Sequence, residues 1–146
     1  MGPDGRWVMH DFERVFNDSY ERVLSASKGG PDFFDSFYER FIGSSEEIRA
    51  KFKNTDMIKQ KQVLRDSLFH MLHYAIDGFA TEYLEHLAVM HAKTEKDIPP
   101  AMYRIWLESL VATVKKWDPK FDNKVESAWR DVMSPGIEFM IAKYES

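Results

Sequence analysis

The stretch Tyr83-Leu84-Glu85-His86-Leu87-Ala88-Val89-Met90-His91-Ala92-Lys93 decides how the chain reads. Leu84, Leu87, Ala88 and His91 fall at i, i+3, i+4 and i+7, so they share one face of a helix. His91 ends this apolar stripe and is expected to point inward. Imidazole is a good metal ligand and is costly to bury without a partner. The residues of this stretch leave two readings open: a core histidine satisfied by a neighbour, or a ligand. His86 lies five residues earlier, about 140° round the helix, so it is not a second ligand from the same face. The expected helix covers residues 80–93.

Working outward, Met57, Gln60, Leu64, Leu68, Met71, Leu72 and Ala75 mark one side of a long helix over residues 57–76, ended by Asp77-Gly78. Beyond the His91 stretch, residues 94–100 form a corner. Pro99 and Pro100 open a helix to about residue 117, with Tyr103, Trp106, Leu110, Val114 and Trp117 inward. Asp118-Pro119 breaks it. A last helix over residues 123–144 buries Val125, Trp129, Val132, Ile137, Met140 and Ile141. Ser134-Pro135-Gly136 lies inside it. A proline there removes a hydrogen bond at about 3 kcal/mol, which predicts a kink or two helices.

Toward the N-terminus, Phe12, Val15, Phe16, Tyr20, Val23 and Leu24 make a stripe over residues 9–26. Residues 1–8 read as irregular, with Trp7 and Val8 able to dock. Lys28-Gly29-Gly30-Pro31 is a stop followed by a start, with Pro31 expected in the next helix's first turn. That helix, residues 32–42, turns Phe34, Phe37, Tyr38 and Phe41 inward. Gly43-Ser44-Ser45 is a break and a fresh cap. A short helix then carries Ile48 to Phe52, and Thr55 or Asp56 caps the next one. No period-two pattern occurs. The expectation is an all-α single domain over residues 1–146, with about seven or eight helices.

Composition narrows the function. With 146 residues and 44% hydrophobic content, a real core is affordable to the chain. The longest apolar runs are far too short to span a membrane. No basic-then-apolar leader opens the chain, so a cytoplasmic location is expected. There is no cysteine, which excludes disulfides, thiolate metal sites and thiol catalysis. A net charge of −4 argues against nucleic acid as a principal partner. Eleven Phe and four Trp suggest a thick core, or one wrapped around something flat and apolar.

Four more residues stand out beside His91. Gln60 is a polar amide on a buried stripe, and Tyr38 is the one hydroxyl on an otherwise all-Phe face. Phe52 follows Tyr38 by fourteen residues, and Leu64 follows Gln60 by one turn. Tyr38, Phe52, Gln60, Leu64 and His91, in this order and spacing on an all-α chain, resemble the globin family. The likeness is greatest to bacterial single-domain and sensor-type globins and to the globin half of flavohaemoglobins. It runs from about Phe12 to Tyr144, with Phe37-Tyr38-Glu39-Arg40-Phe41, Leu87-Ala88-Val89-Met90-His91 and Ala128-Trp129 as supporting pieces.

This resemblance implies a globin fold enclosing a pocket for haem b. His91 would be the metal ligand through Nε2, with its Nδ1–H donated to a main-chain carbonyl near Leu87. Tyr38 and Gln60 would be the catalytic distal pair. Phe34, Phe37, Phe52 and Leu64 would form the apolar wall. Tyr103, Lys59, Lys61, Arg65 and Lys93 are candidates to hold the haem carboxylates. His10, His70 and His73 read as solvated or structural. The implied partners are O2, CO and NO. A Tyr and Gln pair that donates to bound O2 favours slow release, which suits gas sensing, storage or NO detoxification.

NO dioxygenation needs electrons, and the chain shows no Gly-rich dinucleotide fingerprint, so an external reductase is expected. The glutamate that flavohaemoglobins carry near the C-terminal end of this domain is unmatched; Tyr144 or a neighbour falls there. A monomer or a homodimer is expected. The competing reading is a non-haem globin-fold regulatory or interaction domain, with aromatic rings filling the pocket. A haem-sized cavity beside His91 separates the two.

Overall fold

Polar caps set most of the helix boundaries in this chain. The computed structural model describes residues 11–26 and 30–145. Through them run α1 (Asp11–Ser25), α2 (Phe33–Ile42), α3 (Glu46–Lys51), α4 (Met57–Asp77), α5 (Glu82–Met90), α6 (Pro100–Trp117) and α7 (Asn123–Lys143), with no strand among the described residues. The expectations for Trp7, Val8, His10 and the Lys28-Gly29 stop lie outside the described residues. Asp32 starts α2 in a reciprocal box with Asp35, at 2.8 and 2.9 Å. Pro31 therefore sits before the cap and not in the first turn. Ser45, Asp56, Thr81 and Asp122 cap α3, α4, α5 and α7. Pro100 fills the first position of α6, where its missing N–H is no loss. Gly78 ends α4 at φ 76°, in the left-handed region that suits glycine.

The helices stack in two layers of contact. α1 and α4 both pack on α7, α2 packs on α6, and α5 packs on α7 and α4. Trp129, fully buried on α7, is the hub on the α1 side. Its ring meets Phe16 at 4.6 Å and 61°, and Tyr20 and Phe33 at 6.0 Å. The expected α1 stripe is off by one position. Leu24 is 37% exposed and Ser19 is buried in its place, because Ser19 has a partner that the apolar pattern does not reveal. Its hydroxyl donates to Asp118 at 2.6 Å and accepts from the Trp129 indole at 2.9 Å.

Of the two expectations for α7, two helices is excluded: it runs unbroken through Pro135. Val132 and Met133 before the proline, and Ile137 and Met140 after it, are all buried. Each contributes roughly 1.5 to 3 kcal/mol, which together exceeds the proline cost of about 3 kcal/mol. Gly136 next to it is the point where α4 comes closest. A Cβ there would lie 2.9 Å from the Met71 Cγ. Gly136→Val is therefore expected to lower stability by roughly 1 to 3 kcal/mol through overpacking. Urea unfolding checks this, and an unchanged midpoint would mean that Met71 moves aside freely.

Candidate functional site

α5 is shorter than the expected 80–93. Thr81 caps it by accepting from the Leu84 N–H at 3.1 Å, and it stops at Met90. His91 is the C-cap, and the chain then folds back on itself. The Ile98 N–H donates to the His91 carbonyl at 3.0 Å, and the Lys93 N–H to the Tyr144 carbonyl at 2.9 Å. Asp97 takes a positive φ of 53° in this turn. The loop over residues 91–98 is thus tied both to itself and to the end of α7. The Tyr144 hydroxyl adds a bond to the Asp97 carboxylate.

The Leu87 carbonyl receives two donors from His91, the main-chain N–H at 3.1 Å and the ring Nδ1 at 2.8 Å. A carbonyl only accepts, so Nδ1 carries the proton and Nε2 has a bare lone pair. Burial pushes the imidazole below its usual range, the Leu87 bond opposes this, and the charge of Lys96 adds to the lowering. The ring is accordingly neutral at pH 7, with Nε2 turned away from Leu87. His91 lines an open-mouthed cleft that encloses about 100 Å³.

Tyr38, Phe52, Gln60, Leu64, Leu87 and Tyr103 line the same cleft. Six of the eight residues singled out around His91 are therefore brought together with it. Phe37 is not. It lies behind the wall, stacked on Phe41 at 5.4 Å and edge-on to Tyr38 at 5.0 Å and Trp106 at 5.9 Å. The helical stripe put Phe37 and Tyr38 on one inward face, but that face is wide enough for one residue to reach the cleft and the other to support it. Phe34 is likewise behind, under the Arg65 guanidinium at 4.8 Å.

Tyr38 and Gln60 bond to each other. The Gln60 amide donates to the Tyr38 hydroxyl at 3.2 Å, and that hydroxyl donates to the Gln60 main-chain carbonyl at 3.3 Å. Both contacts are long for their type and easily exchanged. Burial drives the Tyr38 hydroxyl far above its ordinary range, so it keeps its proton and can donate. Phe52 packs edge-on to Tyr38 and Phe41, at 5.8 Å from each. Tyr103 is buried, with its ring centroid 6.4 Å from that of His91.

The basic residues are placed differently from the sequence expectation. Lys61 is paired with Asp35 at 2.6 Å and Lys93 with Glu145 at 3.9 Å. Neither these nor Lys59 or Arg65 lines the cleft; Lys51 does. Sequence reasoning missed Lys51, although its place directly before Phe52 was a usable signal. It also missed Met102, Met140 and Ile98 on the wall, whose sequence neighbours carry no chemical pattern. His73 is exposed and paired with Asp77 at 3.1 Å, and His70 stacks on Tyr83 at 4.5 Å; neither reaches the cleft.

An all-helical chain that closes an apolar, aromatic-walled cleft over one neutral imidazole defines a class of helical pocket proteins. The comparisons make that class specific. The family model described as globin matches residues 35–138, and the chain belongs to the globin family, a family of haem-binding proteins. A crystal structure from Pseudomonas aeruginosa PAO1, of a protein described as structurally highly homologous to a human hemoglobin, is similar to this chain. The two share 38% identity at a TM-score of 0.83, over 93% of this chain and 100% of that one. No curated protein matches significantly. No helix among the described residues is long and apolar enough to cross a membrane.

Proposed function

We propose that the cleft holds haem b and that the protein binds O2, CO and NO reversibly, for gas sensing, storage or NO detoxification with an external electron donor. The observation that carries this reading is the bond between the His91 Nδ1–H and the Leu87 carbonyl. It fixes the tautomer, leaves Nε2 bare and raises its basicity, which is what an imidazole that would hold an iron needs. The donor set fits as well: one neutral nitrogen, apolar walls and, on Tyr38 and Gln60, hydroxyl and amide donors.

Haem, when bound, would be held through the His91 Nε2 and would supply an iron able to bind diatomic gases. The chain's residues do the rest. His91 holds its ring in one orientation through Leu87. Phe52 and Leu64 exclude water from the cleft, which slows proton delivery. Tyr38 and Gln60 can turn their protons toward an acceptor that draws electron density, as O2 does.

The direct test is colour. Purified protein is expected to be red, with a Soret band that shifts on adding dithionite and then CO. A preparation that stays colourless after haem is supplied would end this reading. Tyr38→Phe is expected to speed O2 dissociation by roughly 10-fold, the low end for a hydrogen bond to a charged acceptor. The low end applies because the Tyr38 proton must first leave the Gln60 carbonyl. Stopped-flow dissociation measures this, and an unchanged rate would assign Tyr38 to Gln60 alone.

A further inference from the structure

The cleft lining contains one ionised side chain, Lys51, and no carboxylate among the described residues. The Lys51 ammonium donates to the main-chain carbonyl of Lys96 at 3.0 Å. It is exposed at the rim, between the end of α3 and the loop over residues 91–98. Its partner there is neutral, so a stronger partner is open to it: a charge-assisted bond to an anion is roughly twice as strong as one between neutral groups. A cation on the lining of an apolar cleft also selects among ligands, attracting those with an anionic edge and repelling cations. Tyr103 adds a second donor on the same lining. The residue is only 7% exposed, and its hydroxyl has no hydrogen-bond partner among the described residues.

We propose that Lys51 is a specificity-determining residue of this cleft, which exchanges the Lys96 carbonyl for a carboxylate on the edge of the bound ring. This rests on the haem reading above, since haem b carries its carboxylates on one edge. It displaces the basic residues that the sequence pointed to. Lys61 and Lys93 are already paired with Asp35 and Glu145, and the Arg65 guanidinium covers Phe34.

The experiment compares haem b with its dimethyl ester, which has the same ring and no anionic edge. Both are loaded into the wild-type chain, Lys51→Gln and the control Lys59→Gln. Loss to an excess of a haem-scavenging apoprotein is then timed. Lys51→Gln is expected to speed haem loss roughly 3- to 10-fold, a range set by a partly solvated charge pair. Loss of the ester is expected to be the same from Lys51→Gln and the wild type, and Lys59→Gln to behave as wild type with both. High salt is expected to shrink the Lys51 effect. Equal acceleration of haem and ester would overturn the proposal, because Lys51 would then act only by holding the Lys96 loop. No acceleration would overturn it too. If the wild-type chain retains neither ring, the haem reading itself has failed, and that result is distinct from both.

Discussion

His91→Gly is expected to yield a folded protein that binds haem at least roughly 100-fold more weakly, a loss of about 2.7 kcal/mol or more by the affinity arithmetic. Added imidazole is expected to restore a large part of the binding and the Soret band. The fold survives because His91 is a C-cap at the edge of α5 and not a core side chain, and glycine is well tolerated at helix ends. What disappears is the only imidazole on the cleft wall among the described residues, together with its orienting bond to Leu87. Haem titration followed by absorbance gives the affinity, and far-UV circular dichroism reports the fold. A variant that binds haem as the wild type does would remove His91 from the site.

The second large effect concerns stability and lies far from the cleft. Asp118→Ala is expected to destabilise the protein by roughly 3 to 5 kcal/mol, the cost of leaving a buried charge network without one partner. The Asp118 side chain is fully buried and accepts from Arg22 at 2.7 and 2.9 Å, Ser19 at 2.6 Å and the Lys120 N–H at 2.8 Å. Through Ser19 it also anchors the Trp129 indole. Removing the carboxylate therefore strands a guanidinium, the Ser19 hydroxyl proton and the Lys120 N–H. The Arg22 side chain is 25% exposed and partly regains water, so the low end of the range is the closer expectation.

pH supplies an independent check on Asp118. Burial acts to raise its carboxyl, but the Arg22, Ser19 and Lys120 hydrogen bonds outweigh it and hold the group below the usual carboxylate range. A depressed folded value means that this stabilisation is complete above the unfolded value of about 4 and is lost as pH falls through the lower folded one. The stability gap between wild type and Asp118→Asn is therefore expected to be widest near neutrality and to narrow on acidification below about pH 4. A gap that stays constant with pH in urea titrations would show that the carboxylate charge is not what matters.

Much of the site was legible because it obeys local rules. His91, Leu87, Leu84 and Ala88 announce their shared face by helical spacing, and Gln60 and Leu64 lie one turn apart on α4. The Nδ1 bond to Leu87 follows from the same spacing, since the carbonyl four residues earlier lies beneath the ring. The resemblance to globins then supplied the order Tyr38, Phe52, Gln60, Leu64, His91. Phe37 shows where local pattern fails. Its stripe identifies an inward side chain but not whether the inside is cleft or core. Lys51 shows the converse, since an exposed lysine carries no periodic signal and only the folded loop beside it reveals the rim it occupies.

The seven helices of the described residues, their caps and the inward histidine follow from residues that lie within a few positions of one another, where periodicity and hydrogen bonding to the next turn decide the outcome. Tertiary packing alone decided the rest. It buried Asp118 against Ser19 and Arg22, elements separated by 99 and 96 residues. It carried α7 through Pro135, and it turned the Tyr38 proton onto Gln60. These depend on which side chains from distant helices share a low-dielectric interior, where an unpaired charge or donor is costly and a paired one is held. That pairing is a property of the packed helices, and no short window of sequence contains it.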